Sequence, residues 1–156
     1  MTVNTKMNCL FWIFTLFTVV YSNCPNGWLW NNSTCYLFSN DQQPMAAASY
    51  MCKTYDSHLV EIFSTNEDAY LKKVLTFYSH TYWIGLNSLQ GVNHWMWLDS
   101  KKTLNETNYV NWLPGQPDNL SHDEFCVQII GSTGEWRSVS CTRNSRYICE
   151  KPDPIV

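Results

Sequence analysis

The sequence predicts an α+β domain stapled by disulfides, and three observations carry that expectation. Two segments with helical signals, 43–55 and 64–78, precede four short runs rich in aromatic and β-branched residues, the composition of strands. Seven cysteines occur. With Cys9 set aside in an N-terminal leader, the even set Cys24, Cys35, Cys52, Cys126, Cys141 and Cys149 remains, as in domains oxidised outside the cytosol. The chain beyond the leader has the size of one compact domain, with no room for a second.

The leader is residues 1–22. A polar start with one Lys precedes an unbroken apolar run from Cys9 to Val20, and Val20 and Ser22 are the small residues before a cut near Asn23. That run is shorter than the ~20 residues a membrane-spanning helix needs. A secreted, extracellular chain with one domain at 23–156, core about 24–150, is therefore expected. Residues 24–38 place aromatic side chains on both sides of an Asn/Ser/Thr cluster, which suits a hairpin with Cys24 and Cys35 at its ends. In 43–55, Pro44 takes the first helical position and Met45, Ala48 and Cys52 share one face. In 64–78, Ser64 and Glu67 form a capping box ahead of Tyr70, Leu71, Val74 and Leu75. These two segments are the whole helical inventory.

Strands are expected at 81–87, 125–130, 134–139 and 146–150. Between Asn87 and His122 runs a long stretch without periodicity, and a loop of that length in a compact domain usually carries function. Its Trp95, Trp97, Tyr109 and Trp112, with Trp83 and Trp136 outside it, are expected to act as packing rather than as ligand contacts.

Composition and spacing exclude several functions. Formal net charge is -3 with no run of Lys or Arg, which argues against nucleic acid. No later apolar stretch is long enough to span a bilayer. The Ser, His and Asp of 121–123 are adjacent in sequence, whereas a catalytic triad converges from separate segments, so no enzyme is expected. His58, His80, His94 and His122 lack the spacing of zinc ligands. Sequons place glycans on Asn31 or Asn32 and on Asn105, and little on Asn119, which neighbours Asp118.

The six-cysteine pattern, "WIGL" at 83–86, "HWMWLDS" at 94–100, "YVNWLPGQPDN" at 109–119, "EFC" at 124–126, "EW" ahead of "SVSC", and the closing "YICE" together resemble the C-type lectin-like domain, of the small secreted, perlucin-like kind. The likeness covers nearly everything beyond the leader. It implies two helices and two small antiparallel sheets, with the long loop region as the binding face. It also implies the pairing Cys24 with Cys35, Cys52 with Cys149 and Cys126 with Cys141, among which spacing alone does not choose.

The resemblance further implies carbohydrate binding through one calcium ion. That ion is held by the two residues flanking a cis proline, a Glu before the next cysteine, and an Asn-Asp pair after a Trp. Gln116, Asp118 and Glu124 match the first three positions, but Arg137 and Ser138 stand where Asn and Asp belong. Calcium takes about six to eight oxygens, so a weak or lost site is expected. An auxiliary calcium site is not expected either, since 91–97 brings no carboxylate and Phe125 fills an acidic position. Arg137 is expected to lie between Asp118 and Glu124 and replace the ion electrostatically. The Gln-Pro-Asp order is the galactose-type pattern. The expected function is thus a secreted, galactose-leaning lectin that meets glycans through Gln116, Asp118, Glu124, Arg137 and Ser138. The alternatives are a turn with a structural role only and, at the level of the domain, a calcium-independent module for protein or mineral matrix; a homo-oligomer is left open.

Overall fold

The computed structural model describes residues 24–118 and 123–154. Residues 1–23, which include the expected leader, and Asn119 and His122 lie outside the described residues. Near the N-terminus β1 (Leu29–Asn31) and β2 (Thr34–Phe38) form the expected hairpin, turning at Asn32 and Ser33, whose φ values of 46° and 65° give a two-residue turn of the primed type. Helix α1 (Met45–Thr54) buries Met45, Ala48 and Cys52 as expected, with Pro44 at the N-cap rather than at the first helical position.

Helix α2 (Thr65–Tyr78) is capped by Ser64, whose hydroxyl accepts from Glu67 N–H at 3.3 Å. The reciprocal bond differs from a capping box. Glu67 accepts from Phe63 N–H (3.2 Å) through Oε2 and from the Tyr36 hydroxyl (2.8 Å) through Oε1, so the helix start is tied to β2. A short third helix, α3 (Leu104–Thr107), was not expected. It is held by Thr103 and Glu106, whose carboxylate accepts from Thr103 N–H at 2.7 Å.

Strands β4 (Thr81–Asn87), β6 (Cys126–Ile130), β7 (Trp136–Val139) and β8 (Arg146–Pro152) fall where the aromatic and β-branched runs predict. Two-residue strands β3 (His58–Leu59) and β5 (Met96–Trp97) are additional. The sheet order is β1-β2-β8-β4-β6-β7, with β3 on β8 and β5 on β4. Among the described residues the named strands pair antiparallel except β4 with β8, where Tyr82 lies opposite Arg146 and Trp83 opposite Tyr147. That parallel step joins the two small antiparallel sheets, and β8 belongs to both.

The three disulfides match the pairing that the resemblance implied. Cys52–Cys149 locks α1 to β8 across 97 residues of sequence, and both cysteines are fully buried. Along β4 the side chains alternate: Tyr82, Ile84 and Leu86 enter one core with Leu71, Leu75 and Trp136, while Trp83 enters a second beneath α1 with Met45 and Ala48.

Candidate functional site

The long stretch after β4 is ordered around Trp136, which is fully buried. The rings of Trp97, Tyr109 and Trp112 meet its ring edge-on, each with centroids 5.8 Å away, and Trp95 meets Trp112 at 5.0 Å. Its backbone is held as well: Trp136 N–H donates to Asn111 O and its carbonyl accepts from Leu113 N–H, both at 2.8 Å. Residues 111–113 thereby run beside β7 and deliver the chain to a fixed point.

The turn begins there. Gln116 N–H donates to Leu113 O (2.8 Å), Gly115 takes φ 85°, a region that side chains other than Gly disfavour, and the Gln116–Pro117 peptide is cis. The Gln116 side chain turns back onto β7, where Oε1 accepts from Ser138 N–H at 2.6 Å and from Ser138 Oγ at 3.0 Å. Gln116 and Ser138, two of the expected site residues, are therefore brought together. Asp118 is exposed at the far side of the proline and Glu124 is half-buried ahead of β6. Among the described residues no three His, Cys, Asp or Glu side chains gather as a metal-binding group.

Arg137 departs from expectation. Rather than bridging Asp118 and Glu124, its Nε and Nη2 donate to Gln128 Oε1 at 3.3 and 3.0 Å. Strand alternation is the reason. On β7 the side chains of Trp136 and Ser138 face the long loop, so Arg137 points to the other face, beside its cross-strand partner Gln128. Burial, and the neighbouring Arg143 charge, hold the guanidinium below its usual range.

Two features were missed from the sequence. The first is a tether beneath the loop. Asn111 Nδ2 donates to Asp68 Oδ2 and to Gly134 O, both at 2.9 Å, and Asp68 on α2 is only 5% exposed. Burial pushes the Asp68 carboxyl up; Tyr109, Trp136, Lys72 and Asn111 pull it back, with Asn111 making the hydrogen bond. The Tyr109 hydroxyl, partly buried against this carboxylate, is pushed up to about 12. An Asp in the first turn of a helix reads as a dipole partner, so its long-range role carried no local signal.

The second feature is an acidic cleft of about 400 Å³ between α2 and the sheet, lined by His58, Glu61, Glu67, Asp99 and Glu150. Glu61 Oε1 accepts from Asp99 N–H (2.6 Å) and Ser100 N–H (3.1 Å), and Glu150 Oε1 accepts from Glu61 N–H (2.7 Å). Burial and the charges of Glu67 and Glu61 hold Glu150 well above the usual carboxylate range. Of the sequon residues, Asn32 and Asn105 are exposed and Asn31 is half-buried at the end of β1.

Comparison with known proteins fits this geometry. A family model described as the lectin C-type domain matches residues 41–151. The chain is 33% identical to perlucin of Haliotis laevigata over 82% of its own length and 83% of that protein. It is also 33% identical to a galactose-binding C-type lectin isoform of Pseudechis australis, over 81% and 82%. Among solved structures, the carbohydrate-recognition domain of the mouse scavenger receptor C-type lectin superposes with a TM-score of 0.78 at 34% identity, covering 85% of this chain and 99% of that one.

Proposed function

Since the chain belongs to the C-type lectin domain family, we propose that it is a secreted carbohydrate-binding protein, galactose-leaning, whose Gln116–Pro117–Asp118 turn works without a resident calcium ion. The observation that carries this reading is the pair of bonds from Ser138 to Gln116 Oε1. The family's ion would need that amide oxygen as a ligand, and here two protein donors already occupy it. Position 138 brings a hydroxyl in place of a carboxylate and position 137 a guanidinium in place of an amide, so this donor set does not fit a cation that takes about six to eight oxygens. In this reading Asp118 and Glu124 are the carboxylates that meet sugar hydroxyls, and the Gln-Pro-Asp order supports galactose over mannose, relatives of both kinds being similar to the chain.

A second reading has its own support. If the Gln116 oxygen is unavailable to a sugar as well as to a metal, the same face serves as a calcium-independent interaction module for protein or mineral matrix. Retention of the purified chain on galactose and mannose resins, each with calcium or with chelator, separates the readings. Retention on galactose under both conditions is expected. Release by chelator would restore a calcium-dependent lectin, and no retention on either resin would favour the second reading.

A further inference from the structure

We propose that the chain carries a second ligand site, for a small oxyanion, at the opposite end of β4 from Gln116 and Ser138. The sheet register defines that separation. Asn87, at the C-terminal end of β4, pairs with Cys126, which pairs with Val139 beside Ser138; Thr81, at the N-terminal end, pairs with Ile130. Where β4 and β8 begin side by side, a polar cavity of about 70 Å³ is lined by Gln42, His80, Thr81, Asn144, Ser145 and Arg146.

Its floor is rigid. Gln43 and Ser145 exchange backbone bonds of 2.9 and 3.1 Å, which brings Gln42 to the rim, and Ser145 Oγ donates to Thr81 O at 3.0 Å. His80 is pressed against Gly131 so closely that a β-carbon there would lie 2.2 Å from His80 O. No other residue type fits that contact.

The lining offers amide, imidazole, hydroxyl and guanidinium groups and no carboxylate. The acid nearest in sequence, Asp41, is committed to the Tyr147 hydroxyl (2.9 Å) and Gln43 Nε2 (3.1 Å). Arg146 is half-buried; its Nε is buried, and the Tyr82 hydroxyl lies beside the guanidinium, yet neither of these two atoms makes a hydrogen bond among the described residues. A guanidinium stays charged in proteins, and a charged donor removed from water without an acceptor is costly. A neighbouring anionic oxygen would satisfy it with a charge-assisted bond. The cavity, about 70 Å³, admits a compact group such as a sulfate, phosphate or carboxylate. The ligand these donors suit is an oxyanion, either a free ion or the anionic group of a substituted sugar. This site stands independently of the lectin reading of the Gln116 face.

Nuclear magnetic resonance of the folded chain tests it by following the Arg146 Nε–H and His80 ring signals during sulfate titration at ionic strength fixed with chloride. Saturable shifts confined to residues 42, 80, 81 and 144–146 are expected, weakened roughly tenfold or more by Arg146→Gln, the loss of one charge-assisted bond. Because Arg146 begins β8, Asn144→Asp on the exposed rim provides a second variant that leaves the strand intact and adds repulsion. Galactose 6-sulfate beside plain galactose distinguishes the sources: tighter binding of the ester than of sulfate at the same residues assigns a sulfated glycan, and equal or weaker binding assigns a free ion. Shifts that fail to saturate, that chloride reproduces, or that both variants leave unchanged would overturn the site.

Discussion

The turn at 113–118 and the cleft around Glu150 bring oxygen-rich side chains together under opposite rules. In the turn, the Gln116 oxygen is satisfied by a backbone N–H and a hydroxyl from Ser138, and the carboxylate beyond the proline, Asp118, stays exposed. In the cleft, Glu61 and Glu150 are buried with Glu67 close by, and burial with mutual repulsion favours a protonated Glu150. Neutral donors settle one region; in the other, burial works against the charge of Glu150, with His58 Nδ1 3.7 Å from its Oε1. The difference teaches that the Gln116–Ser138 bonds hold the turn without any titratable group, whereas the buried cleft depends on one.

The largest effect expected from breaking this contrast comes from the disulfides. In the chain-entropy model the Cys52–Cys149 bridge, beside Glu150, contributes about 5 kcal/mol and the Cys126–Cys141 bridge, beside the loop face, about 3 kcal/mol. Replacing the first pair with Ala should prevent folding as seen by circular dichroism. Replacing the second should leave a folded chain with faster amide exchange at 113–118 and 136–138. The reverse order would show that the loop face, not the cleft, is where stability concentrates.

Next in size is Glu150→Gln, which keeps an oxygen for Glu61 N–H and removes the charge. A carboxyl whose folded pKa is raised contributes stability that is fully present below its unfolded pKa and is lost as pH rises through the folded value. Wild type should therefore lose stability between mildly acidic and mildly alkaline pH while the variant changes less, leaving the variant ahead at the alkaline end by on the order of 1–3 kcal/mol. Urea denaturation at both ends checks this, and parallel curves for the two proteins would remove the buried proton from the account. The smallest effect is Ser138→Ala, which deletes one of two donors to Gln116 and should cost about 1 kcal/mol with no pH dependence. It should also loosen the turn, read as faster exchange of the Ser138 backbone amide.

Legibility from sequence tracked the range of the interaction involved. Ser64, Pro44, the Asn32–Ser33 turn and the strand runs act through neighbours a few residues away, so their elements were readable. Strands of two residues such as Met96–Trp97, and a helix as short as Leu104–Thr107, offer too few positions for any periodicity to register. The direction of Arg137 was within reach, because Trp136 and Ser138 belong to the loop side and strand alternation then turns 137 away. A match to a ligand position says nothing by itself about which face of a strand a residue occupies. The Asp68–Asn111 bond spans 43 residues, and nothing near either residue announces it.

Trp136 fixes its neighbours through both its ring and its backbone, and this bears on how the Gln116 face would meet any ligand. A platform held from beneath at Asn111 and Leu113 is ordered before anything arrives, so docking has little chain freedom left to remove. Side chains projecting from the turn, Asp118 above all, can then change without disturbing what supports them. Recognition and foldedness become separable quantities, and a lineage carrying this scaffold is free to exchange one ligand for another by altering the rim while Trp136 stays in place.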